Sequence, residues 1–286
     1  RKCSRKGNKY PDPRKGFESA TSEIHRIMDC AGRGTYFLFD CISDLADTWY
    51  SDLMLGNFYM LTCPYVYDMD SLAYFALVRN RHSLHVASHI RDTAQIVVDV
   101  YRHRDRLYVH PIKVWQRHSP TMYLPHVWED NSFRPVTDSA TVSEVVSAVM
   151  GTGLDSTSRV IDIWDRTFIR AREVSGEVKR GECSESDADK FFDRLLRMTV
   201  TCDDRILEIV KCHLSLDDLL EIRKRMIGTG LIGGKSVGMV VARAILINSD
   251  ERWRDILEVH DSFYIGSDVF YTYIVENGCW RVRQKQ

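Results

Sequence analysis

The residues with the clearest potential for chemistry lie in Gly228-Thr-Gly-Leu-Ile-Gly-Gly-Lys-Ser-Val-Gly-Met239. This glycine-dense turn runs straight into the apolar, helix-patterned Val240-Val-Ala-Arg-Ala-Ile-Leu246. Glycine lets backbone N–H groups approach an anion without a Cβ in the way, and a helix start adds partial positive charge. Gly233 and Gly234 are therefore candidate contacts to phosphate oxygens, with Lys235 supplying a full charge. A tight helix-to-helix turn with Lys235 in solvent is the structural alternative. A second candidate is Asp40, which ends the apolar run Thr35-Tyr-Phe-Leu-Phe-Asp40. That run reads as a buried parallel strand, and ligands of open α/β sheets gather at the carboxyl ends of strands. A carboxylate in this place can equally cap the next turn.

A Walker A loop needs Gly, four residues, then Gly-Lys-Ser/Thr, with a buried strand before it. Counting back from Gly234-Lys235-Ser236, its first glycine falls on position 229, which is Thr. The preceding Leu216 to Met226 has helical spacing rather than a β run. The turn is therefore not a P-loop.

Downstream, Phe263-Tyr-Ile-Gly-Ser-Asp-Val-Phe-Tyr-Thr-Tyr-Ile-Val-Glu-Asn-Gly278 reads as a short strand, a helix that Ser267 or Asp268 can cap, and a stop at Asn277-Gly278. Together with Gly233-Gly-Lys235 this order resembles the opening of the nucleotide-binding domain of the phosphoenolpyruvate synthase and pyruvate phosphate dikinase family, which is of the ATP-grasp type. The resemblance covers about residues 226 to 280. It implies an ATP-dependent phosphotransferase of kinase type, with Gly233, Gly234 and Lys235 on the ATP phosphates and Mg2+ as the companion ion. In the family the remaining arginines and metal-binding carboxylates follow this segment, whereas here Arg281-Val-Arg-Gln-Lys-Gln286 ends the sequence. With Arg1 in place of Met, this leads to the expectation of a fragment that is inactive by itself.

Composition sets the bounds. The 286 residues, 44% hydrophobic and 28% charged, suffice for one large or two ordinary domains. A net charge of −1 exerts no global pull toward nucleic acid or a membrane surface. No apolar run approaches the length of a bilayer span, and no signal peptide is visible. Eight scattered cysteines without Cys-x-x-Cys pairs read as reduced thiols in a cytoplasm. The spacing of Cys202, Cys212 and His213 matches no common zinc site.

Residues 1–16 form a basic, proline-broken lead-in. From Phe17 the pattern is helical to about Cys30, a turn follows at Ala31 to Gly34, and the Asp40 strand comes next. Asn57 to Cys63 reads as strand, Asp70 to Arg79 as helix and Ser83 to Ile90 as strand. Ala94 to Arg102 and Arg106 to Val114 bracket a polar tip, His103-Arg-Asp105, as a hairpin whose Pro111 argues for an edge position. This order resembles the second half of a RecA/KaiC-like ATPase core over about residues 17 to 118. The resemblance implies that Asp40 is a Walker B-like carboxylate for Mg2+ and water at a second nucleotide site, although the sequence contains no Walker A loop.

His82, His85 and His89 are the densest histidine group. They share a face only on a helix, and because the stretch reads as strand, no metal site is assigned to them. Arg117 to Pro135 reads as irregular and closes the first domain. Residues 136–222 read as a helical connector, turning at Gly176 and at Gly181 to Ser186. The expected architecture is α/β: an incomplete RecA-like domain over 17–135, the connector, and a truncated ATP-grasp opening over 223–286. The expected partners are ATP, a phosphate acceptor for which pyruvate is one candidate, and further copies of the chain in a homo-oligomer. The competing expectation is a regulatory or non-catalytic nucleotide-binding assembly protein.

Overall fold

The computed structural model describes residues 11–150, 161–181, 185–258 and 261–284. Positions 1–10 of the expected basic lead-in lie outside them, as do 182–184 in the expected turn before Ser186. The chain divides into two compact units. One is formed by Arg1–Ser83 with Ile161–Gln286, the other by Leu84–Val160. The expected RecA-like span and the expected helical connector are thus each shared between both units.

The first limb of the larger unit begins with a 3-10 turn, Pro13–Lys15, capped by Asp12. Helix α1 (Phe17–Ala31) follows and buries Phe17, Ala20, Thr21, His25 and Met28, the stripe that a 3.6-residue period places on one face. Strand β1 (Tyr36–Phe39), helices α2 (Ser43–Trp49) and α3 (Asp52–Asp68) and strand β2 (Leu72–Phe75) come next. β1 and β2 pair in parallel, Tyr36 opposite Leu72. Phe37 and Phe39 turn inward toward a core of Met28, Val66 and Met69, but Tyr36 and Leu38 are 77% and 74% exposed. The strand ending at Asp40 is therefore parallel, as expected, but buried on one face only.

Two expectations fail here for one reason. Asn57 to Cys63 is not a strand but the middle of α3, and the 70–79 stretch is not a helix but contains β2. A short apolar run cannot tell a buried strand from a buried helix. What decides is the Ser51 side chain, which accepts from the Met54 amide as an N-cap, and unbroken burial from Met54 to Tyr59. Leu72 to Phe75, by contrast, finds a strand partner in β1.

In the smaller unit, helix α4 (Leu84–Thr93) replaces the expected 83–90 strand, because Val86 and Ile90 bury one stripe at i,i+4 spacing. Strands β3 (Ile96–His103) and β4 (Arg106–Val114) form the expected hairpin. Arg104 and Asp105 both have positive φ, as the mirror-image two-residue turn requires. The expected irregular 117–135 stretch instead contains a second hairpin, β5 (His126–Glu129) and β6 (Ser132–Pro135), giving the order β3-β4-β5-β6. β4 is thus not an edge strand. Its pairing with β5 stops at Val109, however, so Pro111 stands past the end of that ladder, opposite a bulge at Val97/Val98. Helix α5 (Ser139–Met150) contributes Val145 to a small core with Tyr101, Tyr108 and Val127.

The chain then returns to the larger unit. Helices α6 (Ile163–Lys179), α7 (Glu185–Thr199), α8 (Asp204–Lys211) and α9 (Leu216–Lys224) enclose Trp164, Phe168, Leu195, Leu207 and Leu219. Asp162, Asp203 and the Ser215–Asp218 capping box start three of them. Gly176 is inside α6, whereas Gly181, at φ +73°, lies beyond its end. Strand β7 (Met226–Ile227), helices α10 (Gly234–Ser249) and α11 (Trp253–Ile256), strand β8 (Tyr264–Ile265), parallel to β7, and helices α12 (Ser267–Glu276) and α13 (Trp280–Arg283) complete it. Asn277 and Gly278 end α12 as expected. The two limbs are tied together: Phe17 sits among Trp49, Tyr271 and Trp280, and Asn57 donates to Thr272 at 2.9 Å. The molecule is mixed α/β, rich in helix, with small sheets.

Candidate functional site

The 228–235 turn is built against the start of α12. Asp268, fully buried, accepts from the Thr229 amide at 2.8 Å and its hydroxyl at 2.7 Å, and from the Val269 amide at 2.7 Å. Thr229 commits its proton to Asp268, so Ser51 donates to Thr229 at 3.0 Å while accepting the Met54 amide. Ser267 accepts from the Leu231 amide at 3.1 Å. Neither Ser267 nor Asp268 is the N-cap of α12; that residue is Gly266, and both side chains reach back to the glycine turn instead.

The glycines divide into two kinds. At Gly228 (φ +79°) and Gly230 (φ +88°) a Cβ would lie 2.4 Å from Asp268 and Ser267, so folding itself demands glycine there. Gly266 is equally constrained, its Cβ meeting the Thr229 carbonyl at 2.2 Å. Gly233 and Gly234 differ: a Cβ on either meets nothing within 4 Å, and Gly233 has φ −64° and ψ 149°, open to any residue. Both are exposed, as is Lys235. α10 starts without a side-chain cap, so its first-turn amides and the Lys235 ammonium face solvent together.

Asp40 lies exposed at the carboxyl end of β1. Among the described residues, no hydrogen bond or ion pair joins it to Lys235 or to the glycine turn, so the two expected sites are not brought together. Nor do the described residues hold a group of three or more His, Cys, Asp or Glu side chains arranged for a metal ion. A pocket of about 500 Å³ lies beside α1, at Lys15, Phe17 and Tyr271, away from both.

A buried chain of hydrogen bonds has no counterpart among the sequence motifs. Ser43 meets His82 Nε2 at 2.7 Å, and His82 Nδ1 meets Asp52 at 2.9 Å. Ser43 accepts the Val78 amide at 2.8 Å, which leaves its proton for Nε2, so the imidazole donates to Asp52 through Nδ1. Asp52 also accepts the Ser83 amide at 2.7 Å. The order matches a Ser-His-Asp nucleophilic triad, but the serine is fully buried and its oxygen is already engaged. The arrangement clamps the 78–83 segment onto the starts of α2 and α3. His82 is 39 positions from Ser43 and 30 from Asp52, with no local motif to announce the group.

His25 is likewise buried, stacked on Tyr65 with ring centroids 4.4 Å apart and 3.2 Å from the Thr62 hydroxyl. Burial pushes its pKa down to about 4, against a smaller opposing pull from Asp29. Among the described residues Cys30, Cys41, Cys63, Cys202, Cys212 and Cys279 are free thiols. Among the described residues no helix is long and apolar enough to cross a membrane. Compared with known proteins, the chain matches no family model, no curated protein and no solved structure.

Proposed function

We propose that the start of α10 binds the phosphates of ATP and that the whole protein is an ATP-dependent phosphotransferase. On this reading Gly233 and Gly234 admit the phosphate oxygens to the α10 amides and Lys235 neutralises their charge. The observation that carries it is the contrast among the glycines. Gly228, Gly230 and Gly266 are required by the fold, whereas Gly233 and Gly234 are required by nothing in the chain, and they stand where an anion meets a helix start beside a lysine. The finer assignments, an ATP-grasp opening at the C-terminal end, a RecA-like element at β1 and Asp40 as a Mg2+ contact, belong to the same proposal. A lone carboxylate can hold Mg2+ when phosphates complete the shell. No step is derived through that ion.

Gly234→Ala and Lys235→Ala test the reading, with calorimetric titration of an unhydrolysable ATP analogue and parallel thermal melts. Alanine at a first-turn position leaves stability unchanged or slightly raised, yet its Cβ fills the approach and weakens binding. Losing the lysine weakens binding roughly ten- to hundredfold, as for a charge-assisted contact of about 1.5 to 3 kcal/mol. Unchanged affinity in both variants overturns the proposal.

A further inference from the structure

His85 and His89 lie on α4, four positions apart, with ring centroids 4.4 Å apart and planes inclined at 58°. This stretch reads from its sequence as a strand, on which residues four apart share a face but stand roughly 13 Å apart. As a helix it brings the two imidazoles together. Val86 and Ile90, each one position later and so about 100° round the helix, are 2% and 8% exposed and anchor it. Lys113 further fixes the helix by donating to the Arg91 and Asp92 carbonyls, both at 2.8 Å. The histidines are therefore held on a positioned frame, and both are exposed. Among the described residues neither imidazole has a hydrogen-bond partner, so their ring nitrogens are open to a ligand.

We infer that His85 and His89 form a bidentate site for a divalent transition-metal ion of the imidazole-preferring class, such as Ni2+, Cu2+ or Zn2+. Two nitrogens each roughly 2.0 to 2.1 Å from one metal are about 3 Å apart. Ring centroids 4.4 Å apart allow that separation by side-chain rotation alone. Paired histidines at i,i+4 on one helix face are the ligand geometry of helical zinc sites. The His-Glu-x-x-His protease pattern is not met, because Val86 occupies the position of its glutamate. Described residues supply no third side chain to the group, so water completes the shell and no hydrolytic chemistry is assigned. Divalent ions bind such a site in the order in which imidazole complexes strengthen, with Cu2+ above Ni2+.

Calorimetric titration of the full chain with Ni2+ tests this, comparing the parent with His85→Ala, His89→Ala and, as a control, the exposed His118→Ala. The expected result is a one-to-one event that weakens at least about tenfold in either α4 variant, since each removes the chelate advantage. The His118→Ala protein keeps the parent affinity, and melts without metal are unchanged throughout. The inference is overturned if the parent shows no such event, if either α4 variant binds as tightly as the parent, or if the His118 variant loses affinity as the α4 variants do.

Discussion

Thr229 and Asp268 are bound to each other twice, through the amide at 2.8 Å and the hydroxyl at 2.7 Å. That pair of hydrogen bonds, with the carboxylate wholly buried, sets the shape of the glycine turn from 39 residues away. Asp268→Ala therefore leaves the Thr229 and Val269 amides without their acceptor and costs about 3 kcal/mol or more. Urea unfolding measures the loss. A shift in midpoint no larger than that of an ordinary surface substitution would show that the turn holds its shape without Asp268.

The two kinds of glycine respond oppositely to one added methyl group. Gly266→Ala drives a Cβ to 2.2 Å from a backbone carbonyl and destabilises by about 1 to 3 kcal/mol, the usual cost of overpacking. Gly234→Ala meets open space and does not destabilise. Thermal melts of the two proteins side by side check the contrast, and equal losses would contradict it.

The Ser43–His82–Asp52 chain is structural. A fluorophosphonate probe leaves Ser43 unlabelled in the native protein, as mass spectrometry can read, because the hydroxyl is sealed and already accepts the Val78 amide. His82→Ala costs about 3 kcal/mol, since it strips a buried carboxylate of one partner. Labelling of native Ser43 that disappears in the His82 variant would instead reveal a working nucleophile.

His25 gives stability a pH dependence whose sign follows from burial. Its folded pKa, about 4, lies below the unfolded value near 6.5, so between these pH values the unfolded chain binds more protons. Stability contributed by the neutral imidazole is complete above the unfolded pKa and is lost as pH falls through that window, by at most about 3 kcal/mol. Unfolding free energies at pH 7, 5.5 and 4.5 for the parent and His25→Gln measure it. An equally steep acid loss in both proteins would assign the effect elsewhere.

The sequence disclosed elements that carry their own punctuation. α1 has a one-face stripe, the β3–β4 hairpin has a polar tip, and α12 has its Asn277-Gly278 stop. It misled where an apolar run was buried on most of its faces, as from Met54 to Tyr59, because such a run loses the period that separates helix from strand. The glycine turn was visible as a candidate site, but which glycines serve the fold was not. That distinction depends on Asp268 and Ser267 arriving from α12. The buried Ser43–His82–Asp52 chain and the α4 histidine pair were likewise hidden, the first by distance along the chain and the second by the wrong period.

The larger unit is interrupted: its two limbs flank the whole of the smaller one. During synthesis the smaller unit emerges as a continuous stretch and is free to fold at once. The first limb has to wait, for Asn57 bonds a residue 215 positions later and Phe17 packs on Tyr271 and Trp280. Until those residues leave the ribosome, α1 and α3 lack the part of their native cover that the second limb supplies, which makes the nascent first limb a natural client for holdase chaperones.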